Sequence, residues 1–155
     1  DVTPERTPET SAMMRQLLVD RPAPAFAASL VTGPHAAKLA DHLGHVVILD
    51  FWATWCGPCR LTIPRLNAWQ KQYGSTGLRI VGVSGESADD IRGYSTEHKL
   101  EYTVARDDGD LISRDYLVPA IPMLVVIDRQ GVVRGVGLGA GDLDIIEALV
   151  VRLLK

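Results

Sequence analysis

The sequence predicts an α/β domain, a central mixed β-sheet with helices on its faces. Three observations carry this. Short apolar runs of strand length alternate with segments of helical period along the chain. The runs at Val46–Ala53, Leu78–Ser84 and Pro122–Asp128 are almost continuously apolar, as suits central strands covered on both sides. A turn signal, Asp128-Arg129-Gln130-Gly131, then leads into Val132–Val136 and predicts a closing hairpin in which glycine supplies a positive φ.

The elements follow in order. Residues 1–21 read as a leader, partly helical or flexible: Thr7-Pro8-Glu9 resembles an N-cap with proline at the first helical position, and a short helix to about Val19 is expected. Arg21-Pro22-Ala23-Pro24 stops it, because prolines lack a backbone donor and bias the preceding residue to extended geometry. The domain proper is therefore placed at residues 22–155. After the first long strand, Pro58 to about Tyr73 has helical spacing at Leu61, Leu66, Trp69 and Tyr73, with Pro64 predicting a kink. Further helices are expected at Ala88–His98 and Asp142–Leu154, with an extra strand and short helix inserted over Glu101–Val118.

A chain of 155 residues, 46% hydrophobic, with mean hydropathy near zero, is long enough for one core without disulfide staples. The net charge of −3 and the dispersal of 16 Lys and Arg exclude a basic nucleic-acid face. No run of eighteen apolar residues is present, and the start shows no signal-peptide pattern. The start at Asp1 rather than Met fits either a trimmed or a processed chain, and the residues leave open whether a signal or an anchor preceded it.

The two cysteines, Cys56 and Cys59, stand two apart directly after the first long strand. Proline at position 58 suits a first helical turn, so Cys56 is expected at a helix N-terminus, where free N–H groups and the helix dipole favour a thiolate. Such a pair is a redox dithiol with Cys56 as nucleophile and Cys59 as resolving thiol. Two other readings share the spacing. Half of a zinc site needs a second half, for which only His35, His42, His45 and His98 remain, without a tight pair among them. A purely structural disulfide would close a loop of two residues and constrain the unfolded chain little. No metal is expected, and no cofactor beyond the dithiol. The histidines before the first long strand read as exposed loop residues, and the acidic groups Glu86, Asp89, Asp90 and Asp107, Asp108, Asp110 as solvated turns and helix N-terminal charges.

Asp50 stands inside the apolar strand Val46–Phe51, where burial disfavours its charged form and raises its pKa. A carboxyl of that kind suits a proton shuttle taking the proton of Cys59. The alternative is an acid satisfied by nearby backbone.

Asp50-Phe51-Trp52-Ala53-Thr54-Trp55-Cys56-Gly57-Pro58-Cys59, Pro64 in the following helix, and Ile121-Pro122 before a strand resemble the thioredoxin superfamily over roughly residues 22–154. The Phe-Trp-Ala-Thr-Trp-Cys wording, the Ala23-Pro24-Ala25-Phe26 segment and the insertion over Ser84–Val118 resemble its TlpA, ResA and DsbE branch, extracytoplasmic thiol–disulfide oxidoreductases often tethered to the membrane and serving cytochrome c maturation. Thr62 stands where ResA-like members carry an acid, and Asp50 stands where they carry Asn, the location of the buried acid of thioredoxin itself.

The resemblance implies a thioredoxin fold with an N-terminal extension and a βα insertion. It implies a cis Pro122 beside the dithiol, with Met123 in place of the usual Thr. Trp55, Gly57, Pro58 and Ile121 are the implied substrate contacts, with Trp55, Ile121 and Pro122 forming an apolar rim around an exposed Cys56. Trp52, Trp69 and Tyr73 are expected in the core. The Gly-Pro inner pair is that of thioredoxin, a reducing couple. The expected partners are a disulfide-bearing substrate protein and an upstream thiol electron donor, for which a membrane protein is one candidate, with the chain itself a monomer. The competing readings are an oxidase or isomerase of the same fold, or a non-catalytic metal-binding or docking module.

Overall fold

The computed structural model describes residues 8–155. The N-cap expected at Thr7 lies outside them. The chain runs α1 (Pro8–Leu18), β1 (Ser29–Thr32), β2 (Val46–Phe51), α2 (Gly57–Tyr73), β3 (Leu78–Ser84), α3 (Ala88–Glu97), β4 (Thr103–Arg106), α4 (Leu111–Asp115), β5 (Met123–Ile127), β6 (Val133–Leu138) and α5 (Leu143–Leu154), joined by short 3-10 turns. The six strands form one sheet in the order β1-β4-β3-β2-β5-β6. β2, β3 and β4 are mutually parallel, while β1, β5 and β6 each run antiparallel to their neighbours. This is the mixed sheet expected.

The apolar runs became the three central strands because each packs on both faces. Val47, Leu49 and Phe51 enter one core with Val81, Val125 and Tyr116, whereas Val46 and Ile48 enter the other with Leu66, Trp69 and Val126. Burying an apolar side chain in such a layer stabilises by roughly 1.5–3 kcal/mol. α2 and α5 cover the second face through Leu66, Trp69, Ile146 and Val150. Of the apolar positions at helical spacing in α2, Leu61 is 66% exposed, and the helix continues through Pro64.

The hairpin forms as expected: Gly131 has φ +84°, its N–H donates to Asp128 O at 3.0 Å, and Asp128 Oδ1 accepts from Gln130 N and Val132 N. β1 was not foreseen. It is a four-residue edge strand, exposed at Ser29 and Leu30 and half-buried at Val31 and Thr32, with none of the continuous apolar character of β2.

The leader helix forms, but the core does not begin at residue 22. Met14 and Leu18 of α1 are buried against the β6 side of the sheet, and Asp20 N, Val133 N and Ala23 N tie the segment after α1 to the β6 edge. An amphipathic helix needs a face to cover, and β6 supplies it.

Candidate active site

β2 ends at Phe51, and Trp52 N still donates to Val83 O at 3.1 Å, so the chain leaves the sheet only at Ala53. A tight turn then brings Cys56 to the N-cap of α2, with Gly57 and Pro58 in the first turn. Cys56 and Cys59 are joined by a disulfide, their Cα atoms 5.3 Å apart, and Cys59 N–H donates to Cys56 Sγ at 3.2 Å. A helix N-terminus leaves its first N–H groups without intrahelical partners. Here one of them already points at the sulfur, and in the reduced state the same donor and the helix dipole stabilise a thiolate there.

Cys56 is only 4% exposed, so the expectation of an exposed nucleophile is corrected. Its neighbour Trp55 is 70% exposed. Trp55 and Ile121 line a cavity of about 280 Å³ together with Trp52, Glu86, Asp110 and Ser113. Ile121 packs against the buried cluster that holds both cysteines. The Ile121–Pro122 peptide is cis, but Pro122 itself is buried, so the rim consists of Trp55 and Ile121 without it. Trp52 and Trp69 are core residues as read, and Tyr73 is half-buried.

Asp50 is 1% exposed, and burial pushes its carboxyl up to about 7. Its Oδ1 has no hydrogen-bond partner, which removes the reading of an acid satisfied by backbone at that oxygen. The strand alternation places Asp50 on the face of Ile48 and Trp52, the face to which the cysteines belong.

Several contributors were invisible beforehand. Glu86, at the end of the loop after β3, accepts from Thr54 N at 2.7 Å, Thr54 Oγ1 at 2.5 Å and Ser84 Oγ at 2.9 Å. Arg60 Nη2 donates to Thr54 O at 3.0 Å. Both the N–H and the C=O of Thr54, two residues before Cys56, are therefore held. The partners lie 32 residues apart, and only the sheet register brings them together.

The acidic groups are not all solvated. Asp107 is 1% exposed and its two oxygens accept from Ile112 N and Ser113 N at 2.9 Å, closing the start of α4. His42 is also buried, at 1%, its Nε2 2.7 Å from Ala36 O, and burial holds its pKa below the usual value. Among the described residues no group of three or more His, Cys, Asp or Glu side chains is placed to hold a metal ion, and no helix is long and apolar enough to cross a membrane.

With this geometry in view, the AhpC/TSA family model matches residues 19–136. The chain belongs to the AhpC/TSA family. It is 32% identical over 121 residues to the thioredoxin-like protein YneN of Bacillus subtilis, covering 76% of this chain and 69% of YneN. It is 30% identical over 114 residues to the thiol–disulfide oxidoreductase ResA of Bacillus thuringiensis, covering 73% and 65%. A Chlorobium tepidum structure, named as a candidate DsbE thiol:disulfide interchange protein, superposes with a TM-score of 0.82 at 34% identity over 88% of this chain and 98% of that one. The chain thus spans about two thirds of its curated relatives' length. This AhpC/TSA member has a thioredoxin fold, and its enzymatic chemistry is thiol–disulfide exchange at Cys56–Cys59.

Proposed function

We propose that the enzyme runs as a reductant of protein disulfides: the Gly57-Pro58 inner pair, that of thioredoxin's reducing couple, carries the direction, and Cys56 at the N-cap of α2, with Cys59 N–H directed at its sulfur, is the nucleophile. Such a site favours the thiolate of Cys56 over its thiol. The thiolate attacks a substrate disulfide; one substrate sulfur bonds to Cys56 and the other leaves as a thiolate. Cys59 then gives its proton to the Asp50 carboxylate and attacks Cys56 Sγ, releasing the second substrate thiolate and forming the Cys56–Cys59 disulfide. Two electrons have passed to the substrate. A thiol electron donor of higher reducing power must return them.

The cavity lined by Trp55 and Ile121 supports a polypeptide substrate held in extended form, and Gly57 and Pro58, in the first turn of α2, are the further contacts this reading assigns. Asp50 supports the proton step because a carboxyl titrating near neutrality gives and takes protons at working pH. No cofactor beyond the dithiol enters this scheme. The likeness to ResA and DsbE supports an extracytoplasmic setting, a membrane protein as electron donor, action on cytochrome c maturation or thiol homeostasis, and a monomeric working form.

The test is the equilibrium reduction potential of the Cys56–Cys59 couple, titrated in thiol buffers with Trp fluorescence as readout. A value near or below about −250 mV supports the reductant. A value above about −180 mV assigns an oxidase or isomerase and overturns it.

A further inference from the structure

Three buried polar atoms lie on the cysteine-bearing face of the sheet without a hydrogen-bond partner among protein atoms: Asp50 Oδ1, Trp52 Nε1 and Tyr102 Oη. They come from two segments, the β2 strand with its exit and the residue just before β4. The register brings these together. Asp50 pairs with Gly82 of β3, and Gly82 pairs with Val104 of β4, two residues beyond Tyr102 and on the same face.

Gly82 is what permits the approach. A Cβ there would stand 3.1 Å from Trp52 Nε1 and 3.3 Å from Tyr102 Cε2, so both rings lie over the one β3 position that carries no side chain, directly beside Asp50. Asn67 of α2 fixes the segment leading into Tyr102, donating to Lys99 O at 2.9 Å and accepting from Glu101 N at 2.8 Å. Tyr102 is fully buried, and burial, with the nearby Asp50 charge, holds its phenol well above the usual range.

The three atoms are chemically complementary. An indole N–H can only donate, a phenol donates or accepts, and a carboxylate only accepts. Polar groups left unpaired in a buried layer are destabilising, and a single internal water with three or four bonds satisfies such a set.

We propose that Tyr102 is a positioning residue for Asp50: its hydroxyl, with the Trp52 indole N–H, acts on the carboxyl through a shared internal water and holds its proton site. This rests on the reading of Asp50 as the proton acceptor. The phenol supplies a donor that the ionised carboxyl needs more than the neutral acid does, so it favours ionisation against the opposing effect of burial. The other titratable groups around this layer are Cys56 and Cys59 at the start of α2 and Tyr94 of α3, whose ring is 5.4 Å from Trp52. His98 stacks on Tyr94 at 3.9 Å and Arg60 lies over the same ring. β5 and α5 contribute apolar side chains to it, Leu124, Val126, Leu143 and Ile146 among them.

The experiment is a carbon-13 NMR titration of the aspartate carboxyl groups in the full oxidised chain, where the cysteines do not titrate, with Asp50→Asn assigning the signal. In Tyr102→Phe, which keeps the ring and its packing, the Asp50 midpoint is expected to rise by about one pH unit, a tenfold change in proton affinity. Trp52→Phe removes the second donor and is expected to move the midpoint in the same direction. An Asp50 midpoint that is unchanged or lower in Tyr102→Phe overturns the inference. Failure of the shuttle itself reads differently: Asp50→Asn would then leave turnover unchanged across neutral pH, whatever the titration shows.

Discussion

Glu86 holds Thr54 with both oxygens of one carboxylate, accepting the backbone N–H at 2.7 Å and the hydroxyl at 2.5 Å. The bonds pin the turn that delivers Cys56 to α2 against the end of β3. Hydrogen bonds to a charged group contribute roughly 1.5–3 kcal/mol. Glu86→Ala is therefore expected to lower the urea-unfolding stability of the oxidised protein by about 2 kcal/mol and, once reduced, to speed alkylation of Cys56. An unchanged unfolding midpoint would mean that the turn holds its shape through Arg60 alone.

Asp50 links stability to pH. Its carboxyl titrates at 3.8 in an unfolded chain and at about 7 in the fold. Between those values the native state keeps the proton and the unfolded state has released it, so stability falls as pH rises through the interval. Asp50→Asn removes this dependence. The variant is expected to gain on the parent between pH 4 and pH 8, by at most about 4 kcal/mol, in urea unfolding of the oxidised forms. A constant difference across that range would refute a proton held at Asp50.

The two cysteines have unequal roles in the proposed reaction. Cys59→Ser is expected to accumulate a covalent mixed disulfide with a protein substrate, visible by non-reducing electrophoresis, because nothing remains to attack Cys56 Sγ. Cys56→Ser is expected to form none. Equal trapping by both variants would deny Cys56 its place as sole nucleophile.

Arg129 donates to Gly44 O, Thr76 O and Leu154 O, joining the start of β2, the loop before β3 and the end of α5. Arg129→Ala is expected to cost about 1–2 kcal/mol in thermal or urea unfolding. The reduction potential should stay where it is, since Gly44 precedes β2 and Cys56 follows it, at opposite ends of a strand about 20 Å long. A shifted potential would show that the two ends communicate.

The central strands were readable in advance because burial on both faces leaves an almost unbroken apolar signature, as at Val46–Leu49. Cys56, Cys59 and Asp50 were readable for a related reason: each is a chemically distinctive residue at a place the local pattern defines. What escaped was set by tertiary neighbours. The burial of Cys56 follows from how α2 seats on the sheet, and the clamp of Glu86 on Thr54 spans 32 residues. Asp107 has the look of a solvated turn in sequence, yet its oxygens satisfy the first N–H groups of α4 in the interior. Tyr102 shows the same limit, since a lone tyrosine gains meaning only when Gly82 lets its ring reach the Asp50 layer.

The strand of chain between α1 and β1 bonds to the outer side of the β6 hairpin: Asp20 N to Val133 O, Val133 N to Arg21 O and Ala23 N to Gly131 O. An open strand edge is a template on which another molecule can add itself. Residues 20–23 thus cover a β6 edge that would otherwise stand open. A version shortened to begin at Pro22 would lose the Asp20 and Arg21 bonds together with the seat of Met14 and Leu18, leaving a sticky edge and a bare apolar patch on the same side of the molecule.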